Sequence, residues 1–250
     1  MLEMLTGTRA KTGIVLLALF LTVGFINSIV LTWLFFGFFM MIALKEAMNL
    51  FQINDDKIYV YALTIWIIAY FYPKPEDLVF VVGIVFASIL AYTKNFNTKL
   101  FLPLMYPITS FLFLFSLYIS FGIDALIWLV FVVAGTDVGA YFVGKSMGST
   151  KFCETSPNKT LEGVAGGVIV ASILGLLLAP EEINFVAAIA ISFVVAIASV
   201  FGDLFESYLK READVKDSGD ILPGHGGILD RTDGYLFGGV IMLVLLRLFA

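Results

Sequence analysis

Charge is scarce in this sequence. Only 14% of its 250 residues are Asp, Glu, Lys or Arg, against about a quarter in a soluble globular chain. That is too few to cover a water-facing surface, so a soluble globule is excluded. With 60% hydrophobic residues and a mean hydropathy of +0.98, the chain reads as an integral membrane protein whose residues mostly face lipid or other helices. Cysteine occurs once, as Cys153, which excludes an intrachain disulfide and a Cys-rich metal cage. Histidine also occurs once, as His225. There is no low-complexity tract and no evident internal repeat. No small-residue cleavage site follows the basic start MLEMLTGTRAKTG, so the first apolar run is expected to remain as an uncleaved span.

What is present in abundance is apolar sequence, in runs close to the roughly 20 residues that cross a bilayer as a helix. The predicted fold is all-α, a polytopic membrane protein of about nine transmembrane helices with cytoplasmic catalytic loops. The spans are placed at about 13–26, 29–50, 58–72, 78–93, 101–120, 124–144, 163–179, 183–204 and 234–249. Pro103 and Pro107 predict a late start or a kink in the fifth, because proline removes a backbone donor. The eighth is expected to continue as a helical extension to about Arg211. Residues 1–122 are read as an N-terminal set of transmembrane helices and 123–250 as the catalytic transmembrane region. Gly135/Gly139, Gly144/Gly148, Gly163/Gly167 and Gly234/Gly238 have a spacing that permits close helix packing. Each pair alone is a weak sign.

Orientation follows from where the cations fall rather than from the net charge of −5. With nine crossings and a cytoplasmic start, thirteen of the fifteen Lys and Arg lie inside, and only Lys74 and Arg247 lie outside. The polar loops at about 145–162 and 205–231 then share the cytoplasmic face, where two separated loops can build one site.

The most polar stretch runs from Asp203 to Asp233. It holds eight carboxylates (Asp203, Glu206, Glu212, Asp214, Asp217, Asp220, Asp230 and Asp233), with Lys210, Arg211, Lys216, Arg231 and His225. Asp203, Glu206, Ser207 and Lys210 are spaced i, i+3, i+4 and i+7, one helix face. An acid at membrane depth by default marks function; the competing account is an interfacial helix end with a Glu206–Lys210 ion pair. Asp137 and Tyr141, at i and i+4 behind a long apolar run, face either a polar cavity or a packing hydrogen bond. In the 145–162 loop, Lys159 beside Ser156 and Thr160 suits phosphate, a mobile point charge with short donors. A plain solvated loop accounts for it equally. Gly224, Gly226 and Gly227 let a ligand approach the backbone closely. Beside them, Asp230, Arg231 and Asp233 suit a magnesium-bound polyphosphate, since Mg²⁺ takes one or two protein carboxylates and completes its shell with water and phosphate oxygens.

These residues carry a resemblance. Ser207-Tyr208-Leu209-Lys210-Arg211, four residues, Lys216-Asp217-Ser218-Gly219, then Leu222 through Asp233 (LPGHGGILDRTD) resembles the signature of the phosphatidate cytidylyltransferases, the CDP-diacylglycerol synthases. Gly202-Asp203-Leu204-Phe205-Glu206, Asp137 with Ala140-Tyr141 and Gly144, and Ser156-Pro157 with Lys159-Thr160 and Glu162-Gly163 also look like the family. The first 130 residues resemble it only as a run of hydrophobic helices.

The resemblance implies that CTP and phosphatidic acid give CDP-diacylglycerol and pyrophosphate, with dependence on Mg²⁺ and room for a second cation such as K⁺. It implies a homodimer in the bacterial cytoplasmic (inner) membrane, with lipid reaching a cytoplasmic nucleotide site and no nucleic acid as partner. Asp203 and Asp230 would hold the metal. Lys216, Asp217, His225, Asp230, Arg231 and Asp233 form the expected catalytic set. Asp137, Tyr141, Ser156, Lys159, Thr160, Ser207, Lys210, Arg211, Gly226 and Gly227 are expected to bind substrate. For His225, contact with phosphate and ordering of its glycine turn stand side by side. The rival readings are a CTP-dependent kinase of a polyprenol-type lipid alcohol and an ion-coupled transporter using Asp137 and Asp203.

Overall fold

The computed structural model of the chain describes residues 8–94, 97–224 and 226–249. His225 therefore lies outside the described residues. Among those residues the only regular elements are helices, joined by loops, with isolated bridges at Lys151–Thr160 and Leu222–Gly226. In lipid every backbone N–H and C=O must be satisfied within the segment, and long apolar runs do this as helices. The elements are α1 (Thr8–Ile26), α2 (Ile29–Leu50), α3 (Lys57–Phe71), α4 (Leu78–Thr93), α5 (Thr109–Met147), α6 (Leu161–Leu178), α7 (Phe185–Glu212) and α8 (Leu229–Phe249). Among the described residues six helical stretches are long and apolar enough to cross a membrane, and two shorter apolar helices, Thr12–Ile26 and Lys57–Phe71, accompany them.

The prolines act where the sequence places them. Short helical turns occupy 98–108, with Tyr106 out of helical geometry, before α5 becomes regular at Thr109. The separation read at residues 122–124 is a one-residue break inside α5: Gly122 has φ +74° and ψ −169°, backbone that glycine alone adopts readily. The extension of α7 reaches Glu212. α8 begins at Leu229, five residues before the span placed at 234–249, and carries both Asp230 and Asp233 in its opening turns. The physical reason for that start appears in the site below.

Two compact units divide the chain, Met1–Ser116 with Glu212–Arg231 and Leu117–Arg211 with Thr232–Ala250. In the first, α2 and α3 are joined by a reciprocal pair of indole bonds. Trp33 Nε1 donates to the Trp66 carbonyl (2.9 Å) and Trp66 Nε1 donates to the Trp33 carbonyl (3.2 Å). Gly37 has no room for a side chain because the Trp66 indole lies against it. Met40, Ala43, Leu44, Phe111 and Phe115 fill the core around them.

In the second unit, small residues let helices meet backbone to backbone. A Cβ added at Gly139 would lie 3.0 Å from the Gly167 Cα, and one at Gly163 would lie 3.1 Å from the Gly144 Cα. The glycine spacings noted in α5 and α6 therefore mark one packing seam. Trp128 Nε1 donates to Ser192 Oγ at 3.1 Å, which ties α5 to α7 in the buried interior.

Candidate active site

In the second unit a cavity of about 620 Å³ opens among α5, α6, α7 and the loop before α6. Asp137 and Tyr141 reach it from one face of α5, Lys159 and Thr160 from the loop, and Asp203 from α7. Residues from three separate stretches of sequence thus share one polar hollow. Lys145, one helical turn beyond Tyr141, also lines it and sits 5.6 Å over the Tyr141 ring.

The loop is held by its own polar groups. Phe152 N donates to the Lys159 carbonyl and Leu161 N to the Thr150 carbonyl, both at 2.9 Å. Thr160 caps α6, its hydroxyl accepting from Gly163 N at 3.1 Å. Glu162, in the first turn of α6, reaches back to accept from Ser149 Oγ (2.8 Å), Ser149 N (3.1 Å) and Thr150 N (3.2 Å). This bracing presents Lys159 to the cavity, where it forms an ion pair with Asp203. Ser207 Oγ donates to the other oxygen of Asp203 at 3.3 Å.

Deeper on the same face of α7, Glu206 is fully buried and pairs with Lys210 at 3.2 Å. Asp233, on α8, is hydrogen-bonded with Glu206 and lies within electrostatic reach of Asp203 and Asp137. The unit thus gathers Asp137, Asp203, Glu206 and Asp233 around the ammonium groups of Lys159 and Lys210. That leaves an excess of carboxylate in an apolar setting, the chemistry that suits a divalent cation. Among the described residues no three His, Cys, Asp or Glu side chains converge into a metal cage. Mg²⁺ does not need one, because phosphate oxygens and water supply most of its ligands.

Asp230 lies in the first unit, in a second polar cluster. Its Oδ2 accepts from Ser218 N (2.8 Å), Ser218 Oγ (2.9 Å) and Gly227 N (2.8 Å). Gly226, with φ +81°, packs so closely that an added Cβ would meet Asp230 Oδ2 at 2.6 Å. Lys216, Asp217 and Arg231 are exposed, and Arg211 is exposed in the last turn of α7. Ser156 lies in the loop, where its carbonyl accepts from Lys159 N at 3.1 Å. Of the residues expected to bind substrate, Asp137, Tyr141, Lys159 and Thr160 meet at the cavity. Ser207 and Lys210 instead face Asp203 and Glu206 along α7.

Sequence reasoning passed over Glu46. It lies in α2, 5% exposed, and its carboxylate accepts from Ile228 N (2.9 Å), Leu229 N (2.8 Å) and Ser218 Oγ (3.2 Å). These contacts explain where α8 begins. The N–H groups at a helix start have no partner within the helix, and here Glu46 and Asp230 satisfy those of residues 227–229. A lone acid in an apolar run was the available signal.

A model of the cytidylyltransferase family matches residues 7–249 of the chain. A protein of Helicobacter pylori strain J99 named phosphatidate cytidylyltransferase is 43% identical over 242 residues, 96% of this chain and 91% of that protein. Its namesake from a second Helicobacter pylori strain is 42% identical with the same coverage. A Bacillus subtilis protein of that name is 47% identical over 135 residues, 52% of this chain and 50% of its own length. Matched along nearly its whole length, this chain belongs to the cytidylyltransferase family.

Proposed function

We infer that this chain transfers the cytidylyl group of CTP to phosphatidic acid, giving CDP-diacylglycerol and pyrophosphate. The observation that carries this is the likeness, over 96% of the chain, to proteins named phosphatidate cytidylyltransferase. A polar cavity in an otherwise apolar unit supports it. In the reaction a phosphate oxygen of phosphatidic acid attacks the α-phosphorus of CTP. The bond from that phosphorus to the β-phosphate oxygen breaks, and pyrophosphate leaves with the electron pair. The lipid is its own nucleophile, so the protein's part is positioning and charge neutralisation.

Lys159 and Lys145 are the cations we assign to the phosphates in the cavity, with Asp203 holding Lys159 in its braced position. Tyr141 and Asp137 line the wall that orients the substrates. Lys210 and Ser207 keep Glu206 and Asp203 in place along α7. Lys216, Arg211 and Arg231 are exposed charges that attract the anionic substrates. Bound Mg²⁺ supplies neutralisation of the phosphate charge, and we assign Asp203 and Asp230 to hold it, with a second cation such as K⁺ beside the surplus carboxylates. Asp217, Asp233 and His225 complete the proposed catalytic set.

We take the 50-residue helical run Thr98–Met147 as two crossings divided at Gly122, since it exceeds twice the roughly 20 residues a crossing needs. With the two shorter apolar helices this gives nine crossings. The bias of Lys and Arg supports a cytoplasmic face for the site, and we propose a bacterial inner membrane as its location. A second copy of the chain is the proposed partner, and the surrounding bilayer delivers phosphatidic acid.

Two forms of labelled CTP test the reaction. With purified protein, phosphatidic acid and Mg²⁺, label at the α-phosphate is expected in the lipid product and label at the γ-phosphate in pyrophosphate. Label from the γ-phosphate in the lipid would replace this reading with a kinase. Lys159→Ala is expected to raise the CTP concentration for half-maximal rate by about tenfold, since it removes a charge-assisted phosphate contact. An unchanged requirement would return the loop to a bracing role.

A further inference from the structure

Glu46 belongs to α2, in the half of the chain whose sequence looks like nothing but membrane helices. Burying an acid in an apolar helix is costly unless its oxygens find donors. Here they find three, and all three come from one segment, the stretch that leads into α8. Ser218 links the two acids of this cluster: its hydroxyl lies 2.9 Å from Asp230 Oδ2 and 3.2 Å from Glu46 Oε2. The backbone N–H groups divide between the same acids, those of Ser218 and Gly227 going to Asp230 and those of Ile228 and Leu229 going to Glu46.

The glycines of the segment are shaped to Glu46 as well. A Cβ at Gly219 would lie 2.8 Å from Glu46 Oε1, and one at Gly227 would lie 2.6 Å from Glu46 Oε2. At Gly219 the Glu46 carboxylate occupies the space a side chain would need, and at Gly227 the Ser218 hydroxyl and the Glu46 carboxylate occupy it together. A second tie comes from α1, where Thr12 Oγ1 donates to the Pro223 carbonyl at 3.1 Å.

We propose that Glu46 is a positioning residue for cytidylyl transfer: it clamps Ser218, Ile228 and Leu229 to α2 and so fixes the orientation of the Asp230 carboxylate. The proposal rests on the assignment of Asp230 to the active site. Glutamine at position 46 keeps the size of the side chain but sets an NH₂ group against a backbone N–H, donor facing donor. The segment is then expected to detach while the helices stay packed.

The test uses full-length Glu46→Gln in detergent with CTP, phosphatidic acid and Mg²⁺. A fall in kcat of about a hundredfold is expected, the scale of a small misplacement of a reacting group. The KM for phosphatidic acid should stay within about twofold. Hydrogen exchange, which needs no substrate, should quicken by at least about tenfold at Ile228 and Leu229 and stay unaltered in α7. Normal kcat, or a lower kcat with exchange at Ile228 and Leu229 unaltered, would overturn the proposal. Should Glu46→Gln not accumulate, Ser218→Ala decides: it removes only the shared hydroxyl, and about a tenfold loss of kcat with faster exchange at Gly227 is expected, wild-type behaviour being the refutation. An active Asp230→Asn enzyme would instead sink the assignment of Asp230 while leaving the exchange result to report the clamp.

Discussion

Replacing Asp230 with asparagine is expected to slow CDP-diacylglycerol formation by about a thousandfold, roughly 4 kcal/mol of transition-state stabilisation, with the protein still folded. The structure separates these two outcomes. Three donors converge on Oδ2 of Asp230: two backbone N–H groups and the Ser218 hydroxyl. The amide oxygen of asparagine accepts from the same three, so the start of α8 is retained. What asparagine cannot supply is the negative charge, or an oxygen where its NH₂ group must point. Size-exclusion elution and thermal midpoint should therefore match wild type while turnover of α-labelled CTP collapses. Turnover within a few-fold of wild type would remove Asp230 from the chemistry and leave it as the cap of a helix.

Asp203→Asn is the second large effect, and its signature differs. Asp203 faces the cavity, paired with Lys159 and accepting from Ser207. Both partners of the ion pair keep some contact with solvent, the side chains being 25% and 35% exposed. Its loss should cost less than about 1 kcal/mol of stability. The functional loss is expected to be about a hundredfold in kcat, comparable to removing one preorganised electrostatic contact at a reacting phosphate. The Mg²⁺ concentration for half-maximal rate should also rise by about tenfold, because the unit loses one negative charge of its surplus over Lys159 and Lys210. A titration of Mg²⁺ at saturating CTP reads this directly. A kcat loss with an unshifted Mg²⁺ requirement would leave Asp203 with the sole task of holding Lys159.

Much of this site was legible from residue order because its pairings are local. Asp203 with Ser207, and Glu206 with Lys210, are four apart on α7, and helical spacing alone brings them together. Asp137 and Tyr141 were legible by the same spacing, joined to the rule that an acid behind a long apolar run needs a cavity or a partner. Glu46 obeyed that rule too. It escaped because Lys45 and the nearby end of α2 gave it the look of an ordinary interfacial residue, and because its donors are 172, 182 and 183 residues away. The exact first residue of α8 is set by the same distant contact. Local pattern places the first helical residue by its own caps, whereas here the acceptor for Ile228 and Leu229 arrives from another helix.

The span between Glu46 and its donors also bears on how the protein is made. At about 5–20 residues per second, a ribosome needs roughly 10–40 s to go from Glu46 to Ile228. For that interval α2 is already in the bilayer while its buried acid awaits the last segment of the chain. Of the three donors to Glu46, Ile228 N lies one residue before α8 and Leu229 N is its first residue. The tie between α2 and α3 through Trp33 and Trp66 can thus form early, while the Glu46 contacts can form only late. A chain that stops before Ser218 contains none of the three donors that satisfy the Glu46 carboxylate.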